Sequence, residues 1–293
     1  MRSIQFGLFG LLMLLAIGCG GPDRLVIESD VMSVRYDQKY HNYDILAHES
    51  RIRIFHSKMF FTTGEESYCF DDPDFVKTID NDRFSDVRGE GDLFTVLAKD
   101  PWQRHDVTMV FKVYDDHSWV SVEMRLTNTS RDSLVVYTLQ PLNIQPEFGG
   151  GLTIWDEASE KDALVVDYAG DGEHRLPFKD MKTRQGIYSW QSIGFTNPKR
   201  ELSLVITNLT EQNMVYSSSL DQAEDVLRGP PVELAATLLL QPSNITRGNP
   251  YESPSFLPHT VASGATLSSG EILVCLVKEN IVNLREFVNQ IPR

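Results

Sequence analysis

The sequence predicts an all-β fold, a large antiparallel β-sandwich with one C-terminal α-helix. Three observations carry the prediction. First, Val107, Met109, Phe111 and Val113 alternate with Thr108, Lys112 and Tyr114, and Val120, Val122, Met124 and Leu126 alternate with Ser121, Glu123 and Arg125. That is the period of half-buried antiparallel strands. Second, short runs rich in Val, Ile, Thr and aromatic residues recur between turn residues along the chain, which favours a sandwich or barrel over alternating β and α units. Third, helical periodicity is confined to the last stretch, Lys278 to Ile291.

The chain opens with MRSIQFGLFGLLMLLAIGCG. Arg2 supplies a positive start, Phe6 to Ile17 an apolar run, and Gly18-Cys19 a small residue before a cysteine. This is the layout of a secretory signal. The run is short for a bilayer span, which takes about 20 residues. Ala16-Ile17-Gly18-Cys19 resembles a bacterial lipobox, with Ala16 where Leu is usual and Cys19 as the residue that takes the lipid. Gly20, rather than Asp, follows the cysteine, which by that resemblance implies the outer membrane where the host has one. The expected location is the bacterial cell envelope, lipid-anchored and outside the cytoplasm. An ordinary cleaved signal with an incidental cysteine is the alternative. The chain divides into a signal (residues 1–18), a lipidated tether (19–24), a sandwich (25–277) and a terminal helix (278–293).

Composition bounds the partners. A formal net charge of −14 argues against nucleic acid and against adhesion to anionic lipid through charge. Hydrophobic residues make up 41% of the chain, ample for a packed core. Three cysteines are present. With Cys19 lipidated, Cys69 and Cys275 remain, and Cys275 sits in the apolar run Ile272 to Val277. A buried free thiol and a disulfide to Cys69 are both open in an exported protein.

The strongest strands are 107–114 and 119–127, closed by the turn Asp115-Asp116-His117-Ser118, with a third strand at 133–139 completing a meander. Other expected strands are 25–29, 31–36, 52–55, 93–98, 152–155, 163–168, 187–195, 202–207, 214–218, 233–240 and 271–277. In the terminal helix Ile281, Leu284, Val288 and Ile291 form an apolar stripe, Asn280 is the expected N-cap, and Pro292 ends it.

Trp119-Val-Ser-Val-Glu-Met-Arg-Leu-Thr-Asn-Thr-Ser130 resembles a strand pair of the form W-V-x-V-x-x-x-L-x-N-x-S, and Thr266-Leu-Ser-Ser-Gly-Glu-Ile-Leu273 resembles a late strand leading to a helix. Both belong to the N-terminal β-supersandwich of α-galactosidase-like (melibiase-type) glycoside hydrolases, related in shape to galactose mutarotase. The resemblance covers roughly residues 25–290. It implies a supersandwich-like domain without the catalytic barrel that carries both carboxylates in that family. No catalytic residue can therefore be carried over. The seven histidines show no spacing that picks out a mutarotase-like set.

Candidate ligand residues come from polar-aromatic clusters. Trp102-Gln103-Arg104-His105 is the richest, followed by Trp155-Asp156-Glu157 and Tyr188-Ser189-Trp190-Gln191. An exposed indole stacks on a sugar face while Gln, Arg and His bond hydroxyls. The competing reading has each Trp packed back on the sandwich. Trp119 either stays half-exposed or covers the outer face of its hairpin. Asp71-Asp72-Pro-Asp74 and Asp80-Asn-Asp82 read as solvated acidic loops rather than Ca²⁺ sites, because neither has EF-hand spacing. The Asn-x-Ser/Thr asparagines at 128, 208 and 244 read as turn residues. No metal site and no cofactor is expected.

Three functions follow. The leading one is a non-catalytic, surface- or envelope-anchored sandwich that binds carbohydrate or another envelope component. The second is an enzyme acting on sugars, alone or as one chain of a split glycosidase. The third is an assembly role in which the terminal helix docks on a protein partner. An apolar helix stripe folded back on the sandwich marks a self-contained domain. An exposed stripe implies a partner.

Overall fold

Two antiparallel sheets form a sandwich around one apolar core. The computed structural model describes residues 24–48, 50, 52–64, 67–70, 72, 74–144, 150–153, 164–169, 172–177, 187–190, 192–199, 201–209, 213–219, 232–238 and 258–293. The predicted signal and Cys19 lie outside them.

The larger, 11-stranded sheet runs β1 (Arg24–Glu28), β2 (Met32–Asp37), β3 (Asn42–Ala47), β4 (Arg53–Thr63), β10 (Leu134–Asn143), β18 (Val232–Leu238), β17 (Asn213–Ser219) and β14 (Ile187–Trp190). Beside that path β5 (Ser67–Cys69) and β11 (Gly151–Thr153) pair with β4, and β19 (His259–Val261) pairs with β10. The 9-stranded sheet runs β13 (Gly172–Pro177), β12 (Leu164–Ala169), β15 (Ser192–Asn197), β16 (Leu202–Asn208), β20 (Thr266–Val277), β9 (Trp119–Asn128), β8 (His105–Tyr114), β7 (Gly89–Lys99) and β6 (Val76–Asp86).

The hairpin β8–β9 pairs in the register its alternation predicts, from His105↔Asn128 to Val113↔Val120. Val107, Met109, Phe111 and Val113 point into the core with Val120, Val122, Met124 and Leu126, all but fully buried. Tyr36 and Tyr43 from the other sheet meet them: the Tyr43 and Phe111 rings sit edge to face at 4.8 Å, and Phe94 stacks on Phe111 at 4.4 Å. Each such aromatic pair adds about 0.5–1.5 kcal/mol beyond its area term.

Several expectations are corrected. Asp80 and Asp82 are not in a loop. They lie in β6, which pairs with β7 over its whole length and ends the sheet among the described residues. Charged side chains on such an edge discourage pairing with another chain, and they also mask strand alternation. The run 187–195 is not one strand but two, β14 and β15, assigned to different sheets. The helix α1 spans Leu284–Gln290, and its N-cap is Asn283, not Asn280. Asn283 Oδ1 accepts from Glu286 N at 2.9 Å. Asn280 is occupied elsewhere: its Nδ2 donates to Pro198 O and its Oδ1 accepts from Thr196.

The stripe of α1 folds back. Ile281, Leu284, Val288 and Ile291 pack with Tyr114, Val205, Leu273, Cys275 and Val277 on the outer face of the 9-stranded sheet. Glu173 Oε2 accepts from Leu284 N at 2.7 Å, and Arg175 donates to the carbonyls of Ile281 and Val282, so β13 clamps the start of the helix. The stripe is thus covered by the sandwich itself, the self-contained outcome. Cys275 is a buried free thiol in this cluster, and Cys69 sits on β5 in the other sheet, so no disulfide joins the two. No helix among the described residues is long and apolar enough to cross a membrane.

Candidate functional site

The loop from Asp100 to Arg104 joins β7 to β8, and the Asp100 carboxylate organises it. Its Oδ1 accepts from Trp102 N (3.2 Å), and its Oδ2 accepts from Arg104 N (3.1 Å) and Arg104 Nε (2.8 Å). Gln103 N donates to Asp100 O at 3.0 Å with Gln103 in the left-handed region, φ 56°. Two amides of the neighbouring turn, Thr129 and Ser130, donate to Arg104 O. A loop held by this many bonds presents its side chains with little ordering left to lose on binding.

Trp102 is presented to solvent, 61% exposed. The Arg104 guanidinium lies 5.1 Å from the centre of the indole and 5.5 Å from that of Tyr68. Gln103 is exposed beside it. Trp102, Gln103 and Arg104 therefore combine a flat apolar face with donors and an amide, the chemistry that reads a pyranose ring. Trp102 is not packed back on the sandwich, the reading the sequence favours.

His105 leaves the cluster. It is 1% exposed, with Phe61 at 5.0 Å, Tyr68 at 4.9 Å and Phe75 at 5.7 Å between ring centres. The reason was present in the sequence: His105 is in phase with Val107, Met109, Phe111 and Val113, and opens the core face of β8. Trp155 lies outside the described residues, and Trp190 is placed only as the last residue of β14. Trp119 covers its hairpin, with His117 stacked at 4.2 Å and Tyr114 at 6.1 Å. Asn128 and Asn208 are not turn residues: each is the buried last residue of a strand, β9 and β16, and Asn128 donates to Asp132 O and Val261 O.

Burial raises the Asp100 carboxyl, but the Arg104 side chain and the amides of Trp102 and Arg104 outweigh it and hold the group below its ordinary range. A depressed folded value means its stabilisation is present above the unfolded value of about 3.9 and is lost as pH falls through the folded value. Asp100→Ala is expected to cost about 1–2 kcal/mol at neutral pH, and the difference from wild type should shrink in acid. Urea titrations at several pH values check this; a constant difference would show that the charge plays no part.

A second cluster escaped the sequence reading. On the outer face of the 9-stranded sheet, Arg88 donates from Nη2 to Asp86 (3.0 Å) and to Glu271, and from Nε to Tyr114 Oη (2.8 Å). Lys112 Nζ donates to Asp86 (3.1 Å) and Glu271 (2.9 Å), and Ser121 Oγ donates to Glu271 (2.7 Å). Burial raises Asp86, yet the Arg88 amide, the Lys112 hydrogen bond and the charges of Arg88 and Lys112 outweigh it and hold it below its ordinary range. A carboxylate held this way has no proton to give as a general acid. The cluster ties β6, β8, β9 and β20 together. Among the described residues no group of three His, Cys, Asp or Glu could hold a metal ion.

No protein-family model and no curated protein matches the sequence. Solved structures do match in shape. An α-N-acetylgalactosaminidase, NagBb, from Bifidobacterium bifidum superimposes with TM-score 0.54 and 8% identity over 91% of this chain. An α-galactosidase from Lactobacillus brevis gives 0.52 and 10% over 88%. A galactose mutarotase-like protein from Lactobacillus casei gives 0.52 and 10% over 86% of this chain and 99% of its own. The chain has the fold of these sandwiches. It spans about two fifths of the length of the two enzymes, 39% and 40%, and no barrel is present among the described residues. At these identities the likeness establishes the fold and nothing about activity.

Proposed function

We propose that this chain is an envelope-anchored lipoprotein whose sandwich binds carbohydrate without turning it over, with Trp102 as the stacking platform. One observation carries the reading: an indole 61% exposed on a loop fixed by a buried carboxylate, flanked by Gln103 and Arg104. Tryptophan is highly buried on average, so an indole this exposed on a fixed loop departs from the usual placement. The names of the structural neighbours concern galactose and N-acetylgalactosamine, so galactosides are the first ligands to test. The non-catalytic reading is supported by the Asp86 and Glu271 carboxylates, which are tied up by sharing Arg88 and Lys112.

The test is a glycan array followed by calorimetry and product detection. Trp102→Ala is expected to weaken binding about tenfold or more, as loss of stacking area worth on the order of 1–2 kcal/mol implies. The melting temperature should not move. Unchanged affinity would remove this loop as the site, and released product would favour an enzyme. The anchoring reading rests on Ala16 to Cys19 and the apolar run before them. Mass spectrometry of the N-terminal peptide reads the lipid directly, and Cys19→Ser should release the protein to the soluble fraction.

A further inference from the structure

We infer that the β1–β2 corner of the larger sheet is the face that rests on the membrane, with anionic lipid headgroups as its partner. This rests on the Cys19 anchoring reading. β1 begins at Arg24, five residues beyond Cys19. Five residues reach at most about 18 Å even when fully extended. Arg24 and what surrounds it therefore stay within about 18 Å of the anchor point once Cys19 carries lipid.

The register Arg24↔Asp37 brings the turn between β2 and β3 to that point. Asp37 fixes the turn: its Oδ1 accepts from Lys39 N (2.9 Å) and Tyr40 N (3.0 Å), and its Oδ2 from Arg24 Nε (3.3 Å). At the tip Tyr40 is 56% exposed, with Lys39 Nζ 4.9 Å from the ring centre. Val26, 47% exposed, pairs with the exposed Arg35.

The charge of this corner differs from that of the chain. Arg24, Arg35 and Lys39 are exposed. The carboxylates among them, Asp37 and Asp44, are buried and bonded to Arg24 and Arg53. The exposed acids of this edge, Glu28 and Asp30, lie at the other end of β1 and beyond it. On a chain of net charge −14, the exposed charge beside the tether is cationic. Tyrosine rings settle at headgroup depth, basic side chains meet lipid phosphates, and an exposed valine tolerates the interface. The short tether, the local charge and the exposed Tyr40 all specify a bilayer surface as the occupant.

The test uses the full-length, lipid-bearing protein on phosphatidylcholine vesicles with and without phosphatidylglycerol. A water-soluble acylating ester labels exposed lysines, and peptide mass spectrometry reads the rates. Lys39 should react about fivefold or more slowly on the phosphatidylglycerol vesicles. Lys199, exposed between β15 and β16, should react equally on both. Arg35→Glu should restore Lys39 labelling while the protein stays on the vesicles. Equal Lys39 labelling on both vesicle types, with lipid mass present on the Cys19 peptide, would overturn the docking face and leave the anchor standing. Absence of lipid on that peptide would overturn the anchor and this proposal together.

Discussion

Phe111→Ala should lower the free energy of unfolding by about 3–5 kcal/mol. The ring is fully buried where the two sheets meet. It stacks on Phe94 from its own sheet and meets Tyr43 and Tyr36 from the other, at 4.4, 4.8 and 6.3 Å. Tyr43 is itself pinned, since its hydroxyl donates to Pro141 O at 2.6 Å. The surrounding rings cannot collapse into the space without breaking that bond, so a cavity persists. Domains are stable by only about 5–15 kcal/mol, so this one change removes a large share. Urea unfolding gives the number. A loss under about 1.5 kcal/mol would mean that the site repacks as readily as in a volume-conserving exchange.

Glu271→Ala should cost about 2–4 kcal/mol, less than a fully buried pair because the cluster is partly wetted. The side chain of Arg88 is 7% exposed and that of Lys112 20%. Removing Glu271 leaves both cations sharing Asp86 alone, with Ser121 Oγ deprived of its acceptor. The exposed pairs of Arg83 with Asp92 and Asp115 are the control. Arg83→Ala should leave the denaturation midpoint where it is, because water replaces what those pairs supply. A double-mutant cycle between Arg88 and Glu271 isolates their coupling. Coupling near zero would show that the contacts are incidental.

Much of the fold could be read ahead because burial is one-sided along many strands. In β8 and β9 every second residue is apolar, and the register follows from that alternation. The reading failed where the local pattern serves another need. β3 carries Asp44 in mid-strand, a buried carboxylate that accepts from Arg53 and from His56 N, so no alternation marks it. β6 wears charges because it is an edge. The helix began late because Asn280 was already bonded to the β15–β16 turn. The candidate site divided in the same way. Trp102, Gln103 and Arg104 were picked out by residue type, while the phase that sends His105 inward was visible and overlooked. The Arg88–Glu271 contact joins residues 183 apart. No local pattern encodes a partner at that distance, since topology alone brings it close.

The position of β20 governs the order of assembly. It is synthesised after every other described strand, yet it lies between β16 and β9. Until Thr266 to Val277 is available, the β6–β9 ribbon and the ribbon of β13, β12, β15 and β16 each present a raw edge with no described strand to join them. Such long-range closure is slow, because the chain must surrender loop entropy before the contacts repay it. A chain synthesised from its N-terminus therefore joins the two ribbons only after every other described strand has been made. The same arrangement makes any product stopped before Thr266 a pair of open edges, prone to pair with its own kind.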